Sequence, residues 1–257
     1  MNNYTYRELM AITAAREIHD GEIVFCGTGI SLLAAMAARC IHAPGCIIFF
    51  ETGAIDPDLK EIPLTVADSR LMYGSSLNAG LGEAFATMQN PFLGPRLVGI
   101  LGAAQVDRYG NLNSTCLGDY KKPDVRFPGS GGACDVGSFV GRTMVFIKHE
   151  RRRFVGELDY FTTPGYFNGP GERERQGYSH GGPVCVISDK AVMRFDEKTK
   201  EMFLYRCCPG TTPGEIQDCT GFSIDITQSE ELDPPTAEEL DILRRVVDPQ
   251  RLILGTD

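Results

Sequence analysis

Cys46-Ile47-Ile48-Phe49-Phe50-Glu51-Thr52-Gly53 is the stretch on which the reading of the fold turns. Its apolar run, β-branched and aromatic after Cys46 and bounded by Pro44-Gly45 and Thr52-Gly53, predicts a short buried strand of a mostly parallel sheet. Glu51 stands at the carboxyl end of that strand, where open α/β sheets place their ligands. Such a carboxylate is either a solvated turn residue or a chemical group at a site, and the local run leaves both readings open.

Upstream, residues 22–25 predict a strand ending in Cys26-Gly27-Thr28-Gly29, after which Ser31 is placed to cap a helix through about Cys40. Leu32, Leu33, Ala35 and Met36 form its expected buried side. Strand, helix and strand in that order require a right-handed crossover, so the sheet is parallel here and Gly27–Gly29 shares an edge with Glu51. An earlier helix is announced by the capping box Thr5 and Glu8, continues through Leu9, Ile12, Thr13 and Arg16, and finds a C-cap candidate in Gly21.

Downstream strands are expected at 97–101, 143–147 and 184–187. Residues 192–195 and 202–205 flank the polar turn Asp196–Lys200 and predict an antiparallel hairpin. A last helix starts at Thr236, with Glu239 completing its capping box, and runs to about Val247 before Pro249. With no linker-like segment between these elements, residues 1–257 are read as a single domain. The fold class is α/β: an open, mostly parallel sheet flanked by helices, with an antiparallel hairpin excursion.

The formal net charge of −9 and one dense basic run, Lys148–Arg153, argue against a nucleic-acid partner, although that run has the charge to meet phosphates. The start Met1-Asn2-Asn3-Tyr4 shows no leader pattern, and no apolar stretch approaches the roughly 20 residues of a membrane span. A cytosolic protein without a membrane partner is expected. Nine cysteines without a CxxC pair read as free thiols of a reducing compartment. The scattered His19, His42, His149 and His180 lack ligand spacing, so no metal is expected.

Three glycine-containing segments have the chemistry to hold a ligand. Gly27-Thr28-Gly29 opens a helix, a place for an anion or thioester contact, or simply a tight turn. It lacks the third glycine of a dinucleotide fingerprint, Leu32 standing there. The segment from Gly102 to Thr115 carries Gln105, Asn111 and Asn113 and reads as either a structural hairpin loop or a polar binding loop. Gly129-Ser130-Gly131-Gly132-Ala133 reads as a surface loop or as an oxyanion hole built from main-chain N–H groups, with Gly132 and Ala133 the candidate donors and Gly131 beside them. Cys134 follows, read first as a small buried side chain and only second as a nucleophile.

Glu51-Thr52-Gly53, the Gly102–Thr115 segment and the Gly129–Asp135 loop together resemble the family I coenzyme A transferases, on the side of the glutaconate-type B subunits. The likeness extends through Gly27-Thr28-Gly29, His149–Phe154, Pro164-Gly165, Gly169-Pro170-Gly171 and Phe195–Lys200. It implies a carboxylate nucleophile at Glu51. It also implies acyl-CoA and carboxylic acid substrates, no permanently bound cofactor, and a homologous A subunit that completes the site, in a heterotetramer. Relatives that decarboxylate or hydrolyse acyl-CoA on the same scaffold are the alternative, since fold does not settle reaction, and Glu51 in place of a cysteine favours transfer. A non-catalytic metabolite sensor is the remote alternative, and the DNA-binding helix pair such a regulator carries is not seen.

Overall fold

The computed structural model describes residues 3–255; Met1 and Asn2, part of the start considered above, lie outside the described residues. The chain divides into two compact units, one of residues 1–100 and 234–257 and one of residues 101–233.

The first unit begins with α1 (Tyr6–Arg16), capped as expected: the Thr5 hydroxyl accepts from the Glu8 N–H and the Glu8 carboxylate accepts from the Thr5 N–H. The helix ends at Glu17, four residues before Gly21. Gly21, at φ +77°, serves the following turn and not the C-cap expected of it. Next come β1 (Ile23–Cys26), α2 (Ile30–Ile41) and β2 (Ile47–Phe49). Ser31 does not cap α2. Gly29 does, at φ +90° and with no side-chain bond, because that backbone conformation is one glycine reaches without strain. The buried side of α2 is Leu32–Ala35 with Ala37 and Ala38, while Met36 is half exposed.

β1 pairs in parallel with β2, Phe25 opposite Phe49, as the crossover argument requires. The chain then turns back through β3 (Ala54–Ile55) and β4 (Leu77–Asn78), both antiparallel, and continues by α3 (Leu81–Gln89) to β5 (Leu97–Gly102), which lies parallel to β1 on its other side.

The second unit opens with two small antiparallel hairpins, β6 (Gln105–Val106) with β7 (Leu112–Asn113) and β8 (Cys116–Leu117) with β9 (Val125–Arg126). α4 (Ala133–Phe139) leads to β10 (Arg142–Phe146), and the short α5 (Glu172–Arg175) to β11 (Pro183–Ile187), parallel to β10. β12 (Ala191–Phe195) and β13 (Met202–Cys207) form the expected antiparallel hairpin beside β11, followed by α6 (Pro213–Asp218) and β14 (Glu230–Glu231). Val145, Phe154, Val186, Met193 and Leu204 pack in one buried cluster of this unit.

The closing helix α7 (Ala237–Ile242), capped by Thr236 and Glu239 and continued by a π turn over Leu243–Val247, belongs to the first unit. It is tied to α1 reciprocally. Arg244 donates to the capping-box Glu8 at 2.6 and 3.0 Å, and Arg16 donates to the capping-box Glu239 at 2.8 and 2.7 Å. Among the described residues no helix is long and apolar enough to cross a membrane.

Candidate active site

In the first unit Glu51 occupies a reverse turn that is built by its neighbours. The Gly53 N–H donates to the Phe50 carbonyl at 2.9 Å, and the Phe50 N–H donates to the Ala54 carbonyl at 3.0 Å. Phe49 and Phe50 are fully buried and anchor the turn, Phe49 meeting Phe25 edge to face at 5.4 Å. Gly53 sits at φ +94°, and a Cβ there would collide with the Ala79 carbonyl, so this position needs glycine twice over. Its carbonyl accepts from the Ala79 N–H at 2.9 Å, which fastens the turn to the approach of α3.

None of this involves the Glu51 side chain, which is half buried and makes no hydrogen bond or ion pair among the described residues. The β1–β2 register brings Gly27–Gly29 to the same strand edge as Glu51. A Cβ on Gly27 or Gly29 would meet nothing within 4 Å, so the turn borders open space. Nearby acids are differently placed: Asp56 pairs with Arg39 at 2.8 Å. Thr52, not singled out from sequence as a site residue, has its hydroxyl oxygen buried beside Glu51 without a partner among the described residues; its place directly after a strand-end acid is the signal that points to it.

In the second unit the glutamine and two asparagines separate into two kinds. Asn111, 2% exposed, uses both amide hydrogens on Asp107 and the Phe167 carbonyl, and its oxygen accepts from the Gly165 and Phe167 N–H groups. Asn113, fully buried, donates to Gln105 Oε1 and the Cys116 carbonyl and accepts from the Thr115 and Cys116 N–H groups. With every donor and acceptor engaged inside the loop, both side chains fasten it. Asp107 organises the same loop by accepting from the N–H groups of Tyr109 and Asn111, and burial pushes its carboxyl above the usual range. Gln105 differs, since its oxygen is engaged but its amide nitrogen has no partner among the described residues.

The glycine loop is likewise sorted by its bonds. The Ala133 N–H donates to the Ser130 carbonyl at 2.8 Å and the Cys134 N–H to the Ser130 hydroxyl at 3.1 Å, so both close the first turn of α4. Of the two expected oxyanion donors, the Ala133 N–H is thus engaged within the chain. The N–H groups of Gly131 and Gly132 have no acceptor among the described residues. Cys134 is exposed, not buried as expected, because it lies on the outer side of that turn. The nine cysteines are free thiols, and burial pushes Cys46 up to about 11 and Cys208 up to about 12. Among the described residues no three His, Cys, Asp or Glu side chains are grouped to hold a metal ion.

Residues 7–218 match the Coenzyme A transferase family. The chain belongs to that family. It is 38% identical over 260 residues to the B subunit of glutaconate CoA-transferase from Acidaminococcus fermentans, covering 96% of this chain and 94% of the relative. The crystal structure of that bacterium's glutaconate coenzyme A-transferase matches with a TM-score of 0.95 over 99% of both chains, which bears out the fold class. The B subunit of 3-oxoadipate CoA-transferase from Pseudomonas knackmussii is 35% identical over 95% of this chain and 94% of its own. The decarboxylase AibA/AibB shares the scaffold at a TM-score of 0.82 and 25% identity over 98% of both chains.

Proposed function

We propose that this family member is the B subunit of an acyl-CoA:carboxylate CoA-transferase that works through a thioester on Glu51. The observation that carries the reading is the free carboxylate of Glu51, held at a strand edge by a turn that makes no demand on its side chain. A carboxylate attacks a thioester carbonyl without an activating base. The carbonyl collapses with loss of CoA thiolate, leaving an anhydride between the acyl group and Glu51. CoA thiolate then attacks the Glu51 carbonyl, the donor acid departs as carboxylate, and a glutamyl-CoA thioester remains. The acceptor acid repeats the two steps in reverse, so bonds and charge balance without a redox partner.

Each tetrahedral intermediate needs N–H donors. The free amides of Gly131 and Gly132, together with the family resemblance, support that assignment; Gln105, with its unpartnered amide nitrogen, is proposed to contact substrate. Coenzyme A as substrate and Gly27-Thr28-Gly29 as a contact for it belong to the same proposal.

A partner A subunit is supported by the similar proteins, which are themselves named as B subunits, and by the surface. Leu64, Met72, Tyr73, Leu77, Leu81 and Phe92 are all exposed in the segment that runs past the Glu51 turn, an apolar surface suited to a covering subunit that also excludes water. The test is exchange of CoA between an acyl-CoA and a labelled acid, by this chain alone and with its partner. The chain alone should be inactive. In the assembled enzyme Glu51→Gln should lower exchange by roughly 10⁴ with unchanged unfolding temperature. Near-normal exchange by the variant, or full exchange by the isolated chain, contradicts the proposal.

A further inference from the structure

The second unit carries a polar cleft lined by Tyr166, Arg173, Glu174, Tyr178, His180 and Lys200 together with glycine backbone. Arg173 is 4% exposed, and its hydrogen bonds all go to carbonyls. Nη1 donates to Gly137 and Gly165 at 3.1 and 2.8 Å, and Nη2 donates to Gly137 and His180 at 3.1 and 3.0 Å. Its Nε–H is buried with no partner among the described residues. The guanidinium carbon lies 5.1 Å from the Tyr178 ring centre, and the Lys200 ammonium lies 5.2 Å from the Tyr166 ring centre.

Neither cation is in an ion pair among the described residues, and Glu174 is the one acid lining the cleft. The His180 ring is fixed, its Nε2–H donating to the Phe139 carbonyl at 2.9 Å. Two cations held by rings and carbonyls, facing one acid, leave an unneutralised positive cleft with an unused donor.

We propose that this cleft binds a phosphate group. A phosphate dianion carries two charges for the Lys200 ammonium and the buried positive charge of Arg173 behind the cleft wall, whereas a carboxylate carries one. Free phosphate and the 3′-phosphate of coenzyme A share this chemistry; the second source rests on the transferase reading, and the first does not.

Lys200 has φ +59°, a conformation asparagine tolerates, so Lys200→Asn removes the cation while leaving the backbone and the Arg173 cage intact. The assembled enzyme is titrated calorimetrically with inorganic phosphate, coenzyme A and 3′-dephospho-coenzyme A, with and without the substitution. The variant should bind phosphate or coenzyme A roughly tenfold more weakly at an unchanged melting temperature. If removing the 3′-phosphate costs coenzyme A the same factor, the coenzyme is the source; if only inorganic phosphate responds to Lys200, free phosphate is. Affinities for both phosphate and coenzyme A that ignore Lys200→Asn, or no binding of either probe, overturn the proposal. Intact Glu51-dependent exchange in that case would leave the transferase reading standing.

Discussion

The Glu51 turn and the Asn111–Asn113 loop look alike in sequence, each a glycine-bearing turn with polar side chains after an apolar strand, yet the polar groups meet opposite fates. Around Glu51 the backbone of Phe50, Gly53 and Ala79 and the buried rings of Phe49 and Phe50 do the holding, and the carboxylate is left over. In the other loop the side chains themselves replace missing backbone partners, and the amides of Asn111 and Asn113 are engaged in holding it. A polar residue is available for chemistry where main chain and apolar packing fix its position, and unavailable where it is the fastening.

The strongest challenge to this contrast is Gly53→Val. A β-branched residue at φ +94° with its Cβ driven into the Ala79 carbonyl should cost about 4 kcal/mol, the sum of backbone strain and overpacking, while substitutions at Glu51 itself leave stability unchanged. Urea unfolding of both variants decides it; a Gly53→Val protein as stable as the parent would mean the turn is not held as described.

Acid gives a second comparison between the units. Burial holds His149 down at about 4, against an ordinary 6.5, its Nε2 lying 3.1 Å from the Thr220 hydroxyl and its Nδ1 3.0 Å from the Ser188 hydroxyl. The unfolded chain thus takes up that proton first as pH falls. The stabilisation is complete above pH 6.5 and is lost on descending toward pH 4, amounting to about 3 kcal/mol. Glu8 of the first unit, where burial opposes but the Arg244 hydrogen bonds prevail, is held at about 2, so its share is lost lower, between 4.5 and 2. Unfolding free energies measured from pH 7 to pH 4 should fall in the parent and fall less in His149→Gln; equal slopes contradict the assignment.

The smallest expected effects divide the polar loop itself. Asn113→Ala strands the Thr115 and Cys116 N–H groups and Gln105→Ala strands the Asn113 amide and the Asp159 N–H, so each should cost about 2 kcal/mol, and only Gln105→Ala should also lower the exchange rate of the folded enzyme. Exchange by the folded enzyme that falls in Asn113→Ala and not in Gln105→Ala would exchange their roles.

Much of this architecture was legible because its signals are local. The Thr5/Glu8 and Thr236/Glu239 boxes, the parallel pairing of β1 with β2 and the hairpin around Asp196–Lys200 follow from capping chemistry, crossover handedness and alternation. Ser31 and Gly21 misled because good capping residue types stood near positions where Gly29 and Glu17 did the work by backbone geometry. The engagement of Asn111 by Phe167 and Gly165, more than 50 residues away, leaves no trace in the run around it. Glu51 was readable as a strand-end acid, and the structure adds that its carboxylate is unpaired.

The measurement that bears most directly on the central claim is borohydride trapping. The assembled enzyme is incubated with its acyl-CoA in the absence of acceptor acid, then reduced and digested. A glutamyl-CoA thioester is reduced to an alcohol, so the peptide containing Glu51 should lose mass, and only after exposure to acyl-CoA. Turnover without any such change at Glu51, or a modification found on Cys134 instead, would contradict the account.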